Sequence, residues 1–78
     1  MVFDTSKLRG RIVEKYGSQT SFAEETGNST SFVSLYLNNK TQLDQMTMDK
    51  WIRDLDIPDN EIRAYFFTVK VHEMEQEG

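Results

Sequence analysis

Residues 18–40 read SQTSFAEETGNSTSFVSLYLNNK, and the spacing within them predicts two short helices joined by a tight glycine turn. Ser18 is placed to cap the first, which buries Phe22, Ala23 and Thr26 and stops at Gly27, because glycine enters the left-handed region at no steric cost. Ser29 is placed to cap the second, with Val33 and Tyr36 facing inward and Asn38-Asn39 closing it, since Asn tolerates left-handed geometry. The pair has the form of a helix-turn-helix: Ala23 is small where the helices cross, Gly27 turns, Val33 plugs the angle, and Gln19 offers an amide to a phosphate. Yet no Lys or Arg occurs in the stretch before Lys40.

Upstream, FDTSKLRGRIVEKYG predicts a first helix. Asp4 is its expected N-cap, Phe3 and Leu8 have the spacing of a hydrophobic staple, and Leu8, Ile12 and Tyr16 form one apolar stripe ending at Gly17. Lys7, Arg9, Arg11 and Lys15 lie mostly off that stripe and read as a solvated face. Downstream of a polar linker, Thr47 is the expected cap of a fourth helix with Met48, Trp51, Ile52 and Leu55 inside. Pro58 suits the first turn of a fifth, which would bury Ile62, Tyr65 and Phe66. Then the period changes: Phe67, Val69 and Val71 alternate with Thr68, Lys70 and His72, which predicts a short C-terminal β-strand. Such a strand needs a partner, either residues 1–3 or the same strand of a second chain, so Phe67, Val69 and Val71 are the expected dimerisation residues. The expected organisation is a mainly α fold of four to five short helices over residues 1–66, with helices 2 and 3 as the helix-turn-helix. Residues 67–78 would add the strand and an acidic tail.

A chain of 78 residues allows one domain and buries only about 60% of its unfolded surface. It has no cysteine, so neither disulfides nor thiolate chemistry can be built. The N-terminus shows no basic-then-apolar leader, and no apolar run approaches the roughly 20 residues needed to cross a bilayer. Together these predict a cytoplasmic protein without a membrane partner. The net charge of −4 weighs against DNA, whose affinity rests on neutralised phosphates. Residues 1–40, however, carry five Lys/Arg against four Asp/Glu, and residues 41–78 carry four against nine, so any DNA-facing surface belongs to the first half. The acids of DLDIPDNE fail as a calcium loop, because Pro58 stands at a ligand place and the required glycine is missing. His72 has no recognisable catalytic company, and Asn28-Ser29-Thr30 is a glycosylation sequon without a secretory signal. Neither enzyme activity, metal nor cofactor is expected.

Three segments, KLRGRIVEKYG, FAEETG and IPDNEIRAYFFTVKV, resemble a family of small phage and prophage helix-turn-helix proteins of Gram-positive bacteria, similar to Cro and repressor DNA-binding domains. The resemblance runs from about Phe3 to His72. It implies a bacterial cytoplasmic setting and a major-groove face made of Thr30, Ser31, Ser34 and Leu35, with Gln19, Asn38 and Lys40 nearer the phosphates. Two departures stand out. Asn28 follows the turn glycine where an aliphatic is usual, which predicts a looser or water-filled turn, and Phe32, Leu35 and Leu37 make the third helix unusually apolar. Phe32 and Leu37 are expected to pack on neighbouring helices, whereas Leu35 falls where a base-reading residue would sit. The main functional expectation is a dimeric regulator that binds a short double-stranded operator, Leu35 and hydroxyls reading bases. The alternative is a protein-interaction module, an antirepressor or inhibitor of a DNA-binding protein, using the same apolar helix as an anchor.

Overall fold

The computed structural model describes residues 2–70. Over these the chain forms α1 (Ser6–Tyr16), α2 (Gln19–Thr26), α3 (Thr30–Leu37), α4 (Gln45–Asp54), a single 3₁₀ turn (Asp59–Glu61) and α5 (Ile62–Phe66). Helix starts follow side-chain acceptors. Ser18 accepts from the Ser21 amide at 3.1 Å and Ser29 from the Phe32 amide at 3.0 Å. Asp4 binds the Ser6 amide at 2.9 Å, one residue ahead of the helical cap position at Thr5. At α4 the cap is Asp44, which accepts from the Thr47 amide at 2.8 Å, so Thr47 lies inside the helix it was expected to start.

The ends of α2, α3 and α4 share one device. Gly27, Asn39 and Asp56 all have positive φ, and the residue after each donates its amide five residues back: Asn28 to Ala23, Lys40 to Leu35 and Ile57 to Ile52, at 2.8–3.0 Å. Left-handed geometry is unfavourable for a non-glycine residue, and both exceptions are held by side-chain bonds. The Asn39 amide accepts from the Phe3 N–H at 2.9 Å and donates to the Phe3 carbonyl at 3.0 Å, in the manner of a neighbouring strand. The Asp56 carboxylate pairs with Lys15.

The core gathers Leu8 and Ile12 of α1, Phe22 and Ala23 of α2, Val33, Tyr36 and Leu37 of α3, Trp51 of α4, Leu55, Ile57, and Tyr65 and Phe66 of α5. Trp51 is fully buried, with Phe22, Tyr36 and Phe32 edge-on around it at ring-centroid distances of 5.0, 5.6 and 6.3 Å. Phe32 and Leu37 pack into or against this core as expected, and Leu35 stays 46% exposed. Phe3 meets the ring of Phe67, 6.0 Å away. The turn at Asn28, expected to be looser, is tied down through the side chain of Asn28. Its carbonyl oxygen accepts from the buried Trp51 indole at 3.1 Å and from the Thr26 hydroxyl at 3.0 Å.

Among the described residues the expected C-terminal β-strand does not form. Residue 67 still closes the last helical turn, its amide donating to Arg63 O at 2.8 Å, and Val69 makes one isolated antiparallel bridge with Phe3. That bridge consists of Asp4 N to Thr68 O at 2.7 Å and Lys70 N to Val2 O at 2.8 Å. Toward the helices it cannot lengthen, because α5 occupies the chain up to Phe66 and the opposing segment turns into α1 after Asp4. The dimer expected through Phe67, Val69 and Val71 thus loses its strand: Phe67 and Val69 are about half exposed beside Phe3 of their own chain, and Val71 lies outside the described residues.

Two outcomes test these contacts. Asn39→Ala keeps the left-handed geometry but removes the amide that tolerates it and cuts both bonds to Phe3, and should cost about 2 kcal/mol in chemical denaturation. Hydrogen bonds from Ser6 hold Asp4, hydrogen bonds from Thr47 hold Asp44, and the hydrogen bond from Lys15 holds Asp56 below the ordinary carboxylate value of 3.8. Folded-state values below unfolded ones mean stabilisation that is complete above the unfolded value and lost as pH falls through the folded values. The thermal midpoint should therefore be flat near neutrality and drop below about pH 4, less steeply in Asp44→Asn.

Candidate interaction surface on the third helix

Helical spacing puts Ser31, Ser34, Leu35 and Asn38 on one stripe of α3, since positions three, four and seven apart share a face. Ser31, Leu35 and Asn38 are exposed, Ser34 is half-buried, and Thr30 is exposed in the first turn. Gln19 sits apart as the half-buried first residue of α2, and Lys40 follows the turn that ends α3, exposed and without an ion pair among the described residues. The structure therefore unites four of the seven candidate residues, flanks them with Thr30 and Lys40, and leaves Gln19 on another helix.

The end of this stripe is fixed from α1. The Thr5 hydroxyl donates to Leu37 O at 2.8 Å, and the Arg9 guanidinium donates to Leu37 O and to Asn38 Oδ1, both at 3.0 Å. Asn38 in turn donates to Ser34 O at 2.9 Å. The Asn38 amide, which the resemblance places near phosphates, is thus engaged within the chain at both its oxygen and its nitrogen. What α3 presents is hydroxyls around one large apolar side chain, Leu35.

Of the basic residues of α1, Lys7 and Lys15 stay exposed as expected, Arg9 and Arg11 are half-buried, and all four meet partners within the chain. Arg9 serves α3, and Arg11 donates to Leu55 O at 2.8 Å and Asp56 O at 2.9 Å. Lys15 pairs with Asp56, and Lys7 lies 4.7 Å from the centre of the Tyr65 ring. Tyr16 completes the set, its hydroxyl donating to Asp54 O at 3.2 Å. Helix carbonyls carry partial negative charge at the C-terminus, so cations from α1 are drawn to the ends of α3 and α4. Sequence could not show this, because the carbonyls they meet are 28 to 45 residues away. Met46, 81% exposed in the first turn of α4, is a second large apolar side chain open to a partner. In the sequence it stands at the end of the polar linker, where only its residue type signals a contact role.

No helix among the described residues is long and apolar enough to cross a membrane. Residues 1–69 match the family described as "Protein of unknown function (DUF739)", and the chain belongs to that family. Among curated proteins none matches it. Among solved structures it is similar to the modulator of repression (MOR) of the temperate bacteriophage TP901-1 from Lactococcus lactis, determined in solution. That protein is 40% identical, the match covers 92% of this chain and 97% of that one, and the TM-score is 0.75.

The Arg9 tether gives a direct test of how the stripe is held. Arg9→Ala should destabilise the fold by about 1–3 kcal/mol, the range for stripping partners from buried polar groups. It should also speed hydrogen exchange at the amides of Asn38 to Lys40 more than at those of α2, whereas uniform acceleration would mean that Arg9 acts on the whole core.

Proposed function

We propose that this chain is a phage antirepressor: it binds a repressor protein through the exposed stripe of α3 and so lowers that repressor's hold on its operator. The observation that carries this reading is the distribution of cations. All four basic residues of α1 are engaged within the chain, and the α3 stripe contains no Lys or Arg, leaving Lys40 as the cation next to it. Affinity for DNA scales with phosphates neutralised, and one neighbouring lysine supplies little of it. A protein interface asks for the opposite, a core depleted of charge with an apolar anchor inside a polar rim. Leu35 among Ser31, Ser34 and Thr30 has that composition.

Long-range electrostatics support the same choice. A net charge of −4 repels a polyanion and attracts a protein whose own surface is basic, as an operator-binding repressor's must be. The likeness to a modulator of repression at 40% identity over most of both chains supports a partner in repression. In this reading the paired helices α2 and α3 keep the layout of a DNA-binding unit, while the third helix is turned to protein recognition.

Calorimetry and operator mobility shifts with the repressor of the same phage test it. The chain alone should leave operator DNA unshifted at low salt, and adding it to a repressor–operator complex should release the DNA. Leu35→Asp should weaken repressor binding at least about tenfold, which corresponds to about 1.4 kcal/mol. The reading fails if the chain alone binds operator DNA in a salt-dependent manner that Lys40→Ala weakens, for then the operator itself is the partner.

A further inference from the structure

Between the amino-terminal segment, the end of α3, the linker that follows it and α5 lies a cavity of about 290 Å³. Phe3, Tyr36, Met48 and Phe66 give it an apolar wall, and none of the residues lining it is charged, in a chain of which 28% is Asp, Glu, Lys or Arg. Its polar residues are mostly accounted for. The Thr5 hydroxyl is bonded to Leu37 O, and the Asn39 amide is bonded to the Phe3 backbone. Thr41 is half-buried and Gln42 exposed. Tyr36 differs: it is 9% exposed, and its hydroxyl has no hydrogen-bond partner among the described residues. Burial alone pushes its pKa up, so at neutral pH the group is an O–H able to donate and to accept. A hydroxyl without a partner on the chain, carried by a mostly buried ring, leaves a donor and acceptor open to a bonded guest.

We propose that this cavity binds a small uncharged amphiphile, one ring carrying a single hydroxyl or carbonyl, whose polar atom bonds the Tyr36 hydroxyl while Phe3, Met48 and Phe66 enclose the ring. Size sets the first limit, because the volume lies at the lower end of small-molecule sites, about 300–1,000 Å³. Charge sets the second. Phosphates and carboxylates would enter a wall with no cation to meet them. Occupancy bears on α3 directly, since Tyr36 belongs to that helix and Asn39, at its end, holds Phe3.

Phenol, toluene and benzoate, titrated into the full chain and followed by amide chemical shifts, separate the contributions. The test needs no repressor, so its result is independent of the antirepressor reading. Phenol should give saturable shifts at Tyr36, Asn39, Leu43 and Met48, with a Kd on the order of 1 mM. Toluene should bind roughly fivefold more weakly, the loss of one ordinary hydrogen bond, and benzoate should not saturate. Tyr36→Phe should erase the preference for phenol while keeping toluene binding. Thr41→Trp, at a half-buried linker position, should block both with shifts elsewhere unchanged. Absence of saturable shifts with phenol and toluene, shifts confined to the Leu35 stripe, or an undiminished phenol preference in Tyr36→Phe would each overturn the proposal.

Discussion

The fold hangs on the indole of Trp51. A fully buried N–H must find an acceptor, and Trp51 finds it in the side chain of Asn28, the residue after the turn glycine between α2 and α3. One bond therefore fastens the α2–α3 turn to α4, while the ring itself is packed by Phe22 from α2 and Phe32 and Tyr36 from α3. Three helices share one aromatic centre. An aliphatic residue at position 28 would leave the indole unpaired, which explains a polar side chain at this half-buried position beside the core.

Around that centre, α1 acts as a strut with charged tips. Its apolar stripe enters the core through Leu8 and Ile12, and its cations reach past the core to the carbonyl ends of α3 and α4. A domain this small has few buried contacts with which to hold helix termini, so charge-assisted bonds to orphan carbonyls do that work. Arg9 and Arg11, committed to helix ends, are then not free for other partners.

The amino-terminal segment links the remaining parts. Phe3 is held on one side by Asn39 and on the other by the bridge to Val69, so the end of α3 and the segment after α5 are joined through two residues of extended chain. The cavity beside Tyr36 is a product of this strap, since Phe3 forms part of its wall.

Sequence by itself determined the helices, because their signals are local. Ser18, Ser29, Gly27 and the apolar stripes act within one or two turns, and the cores of α2 and α3 fall where spacing put them. Leu35 was likewise legible as the exposed apolar residue of α3, since helical geometry alone fixes which residues share its face. The alternation at Phe67, Val69 and Val71 misled, because a period of two describes a strand only where a partner of matching length exists. Tertiary structure decided that, and it decided the fate of the cations and of Asn28, Asn38 and Asn39. Each of these side chains is polar and could serve solvent, a phosphate or the backbone. Which one it serves depends on acceptors brought near by folding from distant parts of the chain, and no local pattern encodes that distance.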